Sequence, residues 1–251
     1  MPQSYKLIFK LEPGVRIDVK EVASSRKIDP KLEGLCRQRW QEFLQQAKNQ
    51  NKKLWDSEIY RLESFDKRNN SLELKVSVIP FSVRLGMNDC VNEVKKLGES
   101  YAAFGLYTSC FVITADNKYL FIEKSGHYFT NRKISFIGGV LSKTEQVIAG
   151  GDDLYQSVLS EVTDELEIDG NIVDSMALRA GFISENYNVC MLFTVNLKKS
   201  FLEIRSQFKA NDDGEAASII GVDAAELPNF ALTLPKKDWP KFEIAGLVSE
   251  S

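Results

Sequence analysis

Histidine is nearly absent: His127 stands alone among 251 residues. That excludes metal centres built from two or three imidazoles, and it leaves a Ser-His-Asp machine one candidate base. Cysteine is scarce too. Cys36, Cys90, Cys110 and Cys190 lie far apart with no Cys-x-x-Cys pair, so they are expected to be buried thiols rather than a disulfide framework. No apolar run approaches the roughly 18 residues of a membrane helix, and Met1–Pro13 lacks the layout of a signal peptide. The expectation is a cytoplasmic protein with no membrane partner. An excess of one charge is also missing: 32 Lys+Arg face 35 Asp+Glu, which argues against a polyanion-coating surface and a nucleic-acid partner. The P-loop, Rossmann and α/β-hydrolase signatures do not occur either.

What is there is an alternation of strand and helix patterns. Tyr5–Leu11 reads as a strand, and Asp29-Pro30 opens an amphipathic helix that ends near Gln50. Glu58–Phe65 and Leu72–Phe81 read as paired strands, followed by a short helix around Asn88–Lys96. From Gly105 the alternation tightens, beginning with a hairpin of Gly105–Ala115 and Tyr119–Lys124. A short strand at Ile134–Ile137 ends in Gly138-Gly139, and a helix is expected at about Leu154–Glu167 with Asp153 as its N-cap. Met176–Ser184 and Val189–Leu197 read as a strand pair. A helix at Phe201–Phe208, a strand at Ala217–Val222 and a terminal helix at Trp239–Val248 complete the pattern.

The helix after Gly151 carries the chemistry. Leu154, Tyr155, Val158, Leu159, Val162 and Leu166 occupy one arc of its wheel, and Glu161, Asp164 and Glu165 the adjoining arc. Between Asp152 and Asp169 there are seven acidic residues and no basic one, so the remaining chain is slightly basic. Clustered carboxylates repel unless a cation neutralises them, and an all-oxygen set suits Mg²⁺, with Mn²⁺ as a substitute. A solvated acidic helix face is the plain alternative. The preceding glycine pair favours the cation, because glycine lets backbone approach an anion closely.

Gly138-Gly139 followed by Ser160-Glu161-Val162-Thr163-Asp164-Glu165-Leu166-Glu167-Ile168 resembles the Nudix box, G-x5-E-x7-R-E-U-x-E-E-x-G-U. Asp152 falls where the loop glutamate of that pattern sits. Ser160 replaces the box Arg, Asp164 replaces a Glu, Glu167 replaces a Gly, and the loop is seven residues longer. An extended loop without the Arg resembles the UDP-glucose/UDP-galactose diphosphatase branch. Tyr60-Arg61-Leu62 with Ser64, Gly86-Met87-Asn88, and Glu215 before Ile219–Val222 extend the similarity, whereas Phe81 stands where that branch has a tyrosine.

The resemblance implies an α+β fold: an α/β/α sandwich with a mixed sheet over residues 101–251, preceded by an integrated α/β extension over residues 1–100. It implies hydrolysis of a UDP-sugar to UMP and sugar 1-phosphate with Mg²⁺ or Mn²⁺. Glu161, Asp164 and Glu165 are the expected metal ligands, and Glu161, Glu165 and Glu185 the expected catalytic carboxylates. Gly139, Lys124, Arg132 and Asn186 are the expected substrate contacts. The His127-Tyr128-Phe129 loop is a candidate for base stacking, and Glu215 for a further carboxylate. The partner is a small nucleotide-sugar, and a homodimer is compatible with the pattern. A non-catalytic nucleotide-binding module, or a hydrolase of ADP-ribose or another dinucleotide, are the alternatives.

Overall fold

The structure, a computed structural model, describes residues 5–49, 53–124, 134–209 and 216–248. In chain order the strands are β1 (Tyr5–Lys10), β2 (Arg16–Glu21), β3 (Glu58–Arg68), β4 (Ser71–Pro80), β5 (Leu106–Ile113), β6 (Lys118–Lys124), β7 (Ile134–Ser135), β8 (Val173–Ser184), β9 (Val189–Leu197) and β10 (Ala216–Asp223). The helices are α1 (Pro30–Asn49), α2 (Phe81–Met87), α3 (Val91–Leu97), α4 (Gly151–Leu166), α5 (Phe201–Gln207), α6 (Leu227–Thr233) and α7 (Trp239–Ile244).

The fold is α+β with a mixed sheet. Seven strands form one sheet in the order β1-β8-β9-β5-β6-β10, with β7 on β6, and β2-β4-β3 form a second. Most pairs are antiparallel, but β5 runs parallel to β9 from Leu106↔Val189 to Ile113↔Asn196, and β2 runs parallel to β4. The hairpin of β5 and β6 is real but pairs only at Val112↔Leu120 and Ile113↔Tyr119. The other half of that edge of β5 belongs to residues 137–141. Cys110 N–H donates to the Ile137 carbonyl (2.8 Å) and Thr108 N–H to the Gly139 carbonyl (2.8 Å). The far side of the same segment meets β3, where Tyr60 N–H donates to the Leu141 carbonyl at 2.9 Å. Residues 137–142 therefore stitch the two sheets together, and the glycine pair lies in the seam.

Alternation along the strands sorts the core into two faces. Leu106, Cys110 and Val112 of β5 join Tyr60, Leu74 and Met191 beneath Leu154, Val158, Val162 and Leu166 of α4. On the opposite face Phe111, Phe121, Phe136 and Phe182 pack against Phe242 of α7 and Leu227 of α6. Beside them Leu32 and Cys36 of α1, Val83 and Met87 of α2 and Val94 of α3 cover Ile59 and Ile79. Helices thus flank the sheets on both sides.

Two expectations change. One helix was expected at Asn88–Lys96, but the chain turns at Asn88 and forms α2 before it and α3 after it. Gly86 allows this: a Cβ there would lie 2.6 Å from the Cα of Cys36, so α2 rests on the backbone of α1. Similarly, α6 precedes the terminal helix, each short helix opening with a proline in its first turn. No described helix is long and apolar enough to cross a membrane.

Candidate active site

α4 begins at an N-cap that is Gly150, not Asp153. Asp153 sits one turn in, where its Oδ2 accepts from the Ala149 (2.9 Å) and Gly150 (3.0 Å) N–H groups. Its carboxylate thereby satisfies donors at the positive end of the helix. The long loop before it is held at several points: the Tyr60 hydroxyl accepts from Ile148 N–H (2.8 Å), and Lys143 N–H donates to the Glu58 carbonyl (2.8 Å). The helix ends with Glu167 at φ 51°, a left-handed conformation that glycine adopts without strain.

The apolar stripe of α4 turns its flank toward the glycine pair. Glu165 is 9% exposed, and its Oε2 accepts from Gly138 N–H at 2.9 Å. Its Oε1 is buried and has no partner among the described residues. Gly138 has φ 131°, and a Cβ there would lie 2.6 Å from the Thr108 carbonyl oxygen, so no other residue fits without moving β5. Gly139 matters for a different reason: a Cβ on it would overlap the Glu161 carboxylate, so any other residue there displaces that side chain. Glu161 and Glu165 thus converge from consecutive turns of α4 onto Gly138-Gly139.

Burial raises Glu165 to about 8; the Gly138 N–H opposes this, the Glu161 charge adds to it, and Lys124 draws it back. Glu161 rises to about 7, first through burial, then through the charges of Glu145 and Asp164, again against Lys124. Lys124 ends β6 close enough to influence both carboxylates.

The other expected residues are placed differently. Asp164 is exposed and accepts from the Ser160 hydroxyl at 3.1 Å, so it points along the outer surface of α4. Glu185 and Asn186 occupy the turn between β8 and β9; Glu185 is exposed, and Asn186 donates to Asn88 Oδ1 at 2.8 Å. Arg132, the His127-Tyr128-Phe129 loop and Glu215 lie outside the described residues. Glu145 was not anticipated. It lies in the long loop, and an acidic residue within the inserted length was the available signal.

Among the described residues no three carboxylate, imidazole or thiol side chains gather tightly enough to hold a metal by themselves. The pair nevertheless fits a hard divalent cation. Mg²⁺ is commonly held by one or two carboxylates and completes its shell with water and phosphate oxygens. The unpartnered Oε1 of Glu165 is an oxygen donor of that kind, as are the Glu161 oxygens above Gly139.

No family model matches the chain, and no curated protein matches it. Similar chains are found among solved structures. The MutT protein from Methanosarcina mazei Go1 is 16% identical over 55% of this chain and 90% of its own, with a TM-score of 0.40. A Nudix hydrolase from M. smegmatis, RenU, is 10% identical over 59% and 89%, with a TM-score of 0.36. Tm1382 is 13% identical over 76% and 97%, with a TM-score of 0.43.

Proposed function

We propose that this chain is a metal-dependent hydrolase of the Nudix type that cleaves a nucleoside diphosphate linked to another moiety, with UDP-sugars as its substrates. The observation that carries the reading is the convergence of half-buried Glu161 and buried Glu165 on Gly138-Gly139, with one Glu165 oxygen left without a partner among the described residues. Two neighbouring carboxylates withdrawn from water repel each other, and a bound cation offsets that cost beyond what Lys124 supplies. The UDP-sugar assignment rests on the extended loop, the missing box Arg and the resemblances around Tyr60 and Gly86.

In this reading Glu161 and Glu165 hold a divalent cation, Mg²⁺ or Mn²⁺. Such an ion screens the diphosphate and acidifies bound water. Gly138 N–H holds Glu165 in place, and Gly139 leaves room for Glu161. Lys124 supplies positive charge at the same end of the sheet, where a diphosphate brings negative charge. Water adds to one phosphorus as the bridging P–O bond breaks, giving UMP and sugar 1-phosphate. Glu145, whose charge already reaches Glu161, and Glu185, in the turn between β8 and β9, are the two proposed acceptors of the water's proton. Asp164 would add negative charge beside Glu161, whose pKa it already raises.

The test is a panel of UDP-glucose, UDP-galactose, ADP-ribose and a dinucleoside polyphosphate, each with Mg²⁺ or Mn²⁺. UMP release from the UDP-sugars is expected. Turnover of ADP-ribose alone would move the assignment to that substrate, and turnover of none would leave a non-catalytic module. Replacing Glu145 and Glu185 by Gln separately distinguishes the two proton acceptors.

A further inference from the structure

The face of the sheet away from α4 carries a cation that no described residue neutralises. Arg84 projects from α2 into the seam between the aromatic cluster under α6 and α7 and the aliphatic cluster under α1–α3. Tyr107 and Val140 are bridge partners and therefore point to the same side, one packing in each cluster. The Arg84 guanidinium carbon lies 5.7 Å from the centre of the Tyr107 ring and 5.9 Å from that of Phe81. Gly105 provides the room: a Cβ there would sit 2.6 Å from Arg84 Cδ.

Ring faces attract the charge but accept none of the five N–H groups of a guanidinium. Arg84 is half-buried; its Nε is enclosed and hydrogen-bonds to no described residue, and the side chain makes no ion pair with any described residue. Three cations with more deeply enclosed side chains are paired. Arg61 pairs with Glu63, Arg26 with Glu33, and Lys241 Nζ lies 2.9 Å from Asp238. Asp238 is the acidic group whose charge reaches Tyr107, and it is already engaged by Lys241. Burial draws the Arg84 pKa down to about 10, which leaves it charged at neutral pH.

We propose that Arg84 anchors an anion-binding site on the face of the sheet opposite α4, where its guanidinium fork takes a small oxyanion, a carboxylate or a phosphate. A planar fork flanked by two rings can offer two parallel hydrogen bonds to such a group. Because α4 covers the other face, this site is separate from the carboxylate pair.

The test uses the full chain with a chelator present, which removes cation-mediated phosphate binding at Glu161 and Glu165. Inorganic phosphate and succinate are titrated separately by calorimetry, and the arm that saturates identifies the anion. Saturable binding is expected for at least one of them. Arg84→Gln should weaken it at least ~10-fold, since two charge-assisted bonds are lost. Arg84→Lys, which keeps the charge without the fork, should weaken it several-fold, and it decides the matter if Arg84→Gln does not fold. The Glu161→Gln/Glu165→Gln double variant should bind as the parent does. Absence of saturable binding up to about 10 mM, a free energy near 3 kcal/mol, overturns the proposal. So does unchanged affinity in Arg84→Lys, or loss of binding in the double variant.

Discussion

Glu63 and Glu165 both have carboxylates withdrawn from water, and they end in opposite electrostatic states. The Glu63 side chain is 5% exposed; burial pushes its pKa up, but Arg61, Ser25 and Ser77 overcome this and bring it to about 2. The Ser25 N–H (3.1 Å) and the Ser24 (3.1 Å), Ser25 and Ser77 hydroxyls all donate to it. Glu165 receives one hydrogen bond, from Gly138, and rises to about 8. A carboxylate that the fold surrounds with donors belongs to the structure. One that the fold encloses and leaves half-bonded is set up for a ligand the chain does not supply.

The largest expected effect tests the first half of that contrast. Arg61→Met removes the cation and leaves Glu63 buried, so a loss of about 3–5 kcal/mol in urea-induced unfolding is expected. Glu165→Gln tests the second half: turnover of the diphosphate substrate should fall at least ~100-fold while the urea midpoint holds or rises. A drop in stability matching that of Arg61→Met would make Glu165 structural and break the contrast.

The two carboxylates also predict opposite pH limbs. The folded-state pKa values of Glu161 and Glu165, about 7 and about 8, lie above the ordinary 4.5. The native state therefore holds extra protons between those values, and metal-free stability should fall as pH rises from about 5 to 8.5. The steepest slope would be ~1.4 kcal/mol per pH unit for each group. Added Mg²⁺ or Mn²⁺ should raise Tm more at pH 8 than at pH 5, as followed by calorimetric melting. Glu63 works the other way: its contribution is present above about 4.5 and disappears as pH falls toward 2. The smallest effect is Glu167→Gly, which relieves the left-handed backbone at the end of α4; a gain of roughly 0.5–1 kcal/mol is expected from thermal melts.

Several elements were legible because they depend on near neighbours. The apolar arc of α4, the β3–β4 pair and the boundaries of α1 follow from periodicity and local turn chemistry. The acidic arc was visible too, but not its division. Asp164 lies one position from Glu165, and a 100° turn carries it from the buried flank to solvent. Glu145 and Arg84 were missed because each takes its meaning from partners distant in sequence: Glu161 for one, Gly105 and Tyr107 for the other. The Asp153 N-cap failed at shorter range, since the same carboxylate caps by reaching back one turn to Gly150.

The amino-acid sequence by itself determined which helix carries the carboxylates, which glycines precede it, and that no metal centre of two or three imidazoles can form, because composition and i, i+4 spacing are properties of the chain alone. Only the tertiary structure decided that Glu165 becomes buried and Glu161 half-buried beside Gly138-Gly139 while Asp164 stays wet. It also decided that residues 137–142 join two sheets, and that Arg84 has no counter-charge among the described residues. The physical reason is that burial and charge balance depend on long-range pairing, and pairing through β5 brings together residues that local patterning leaves independent.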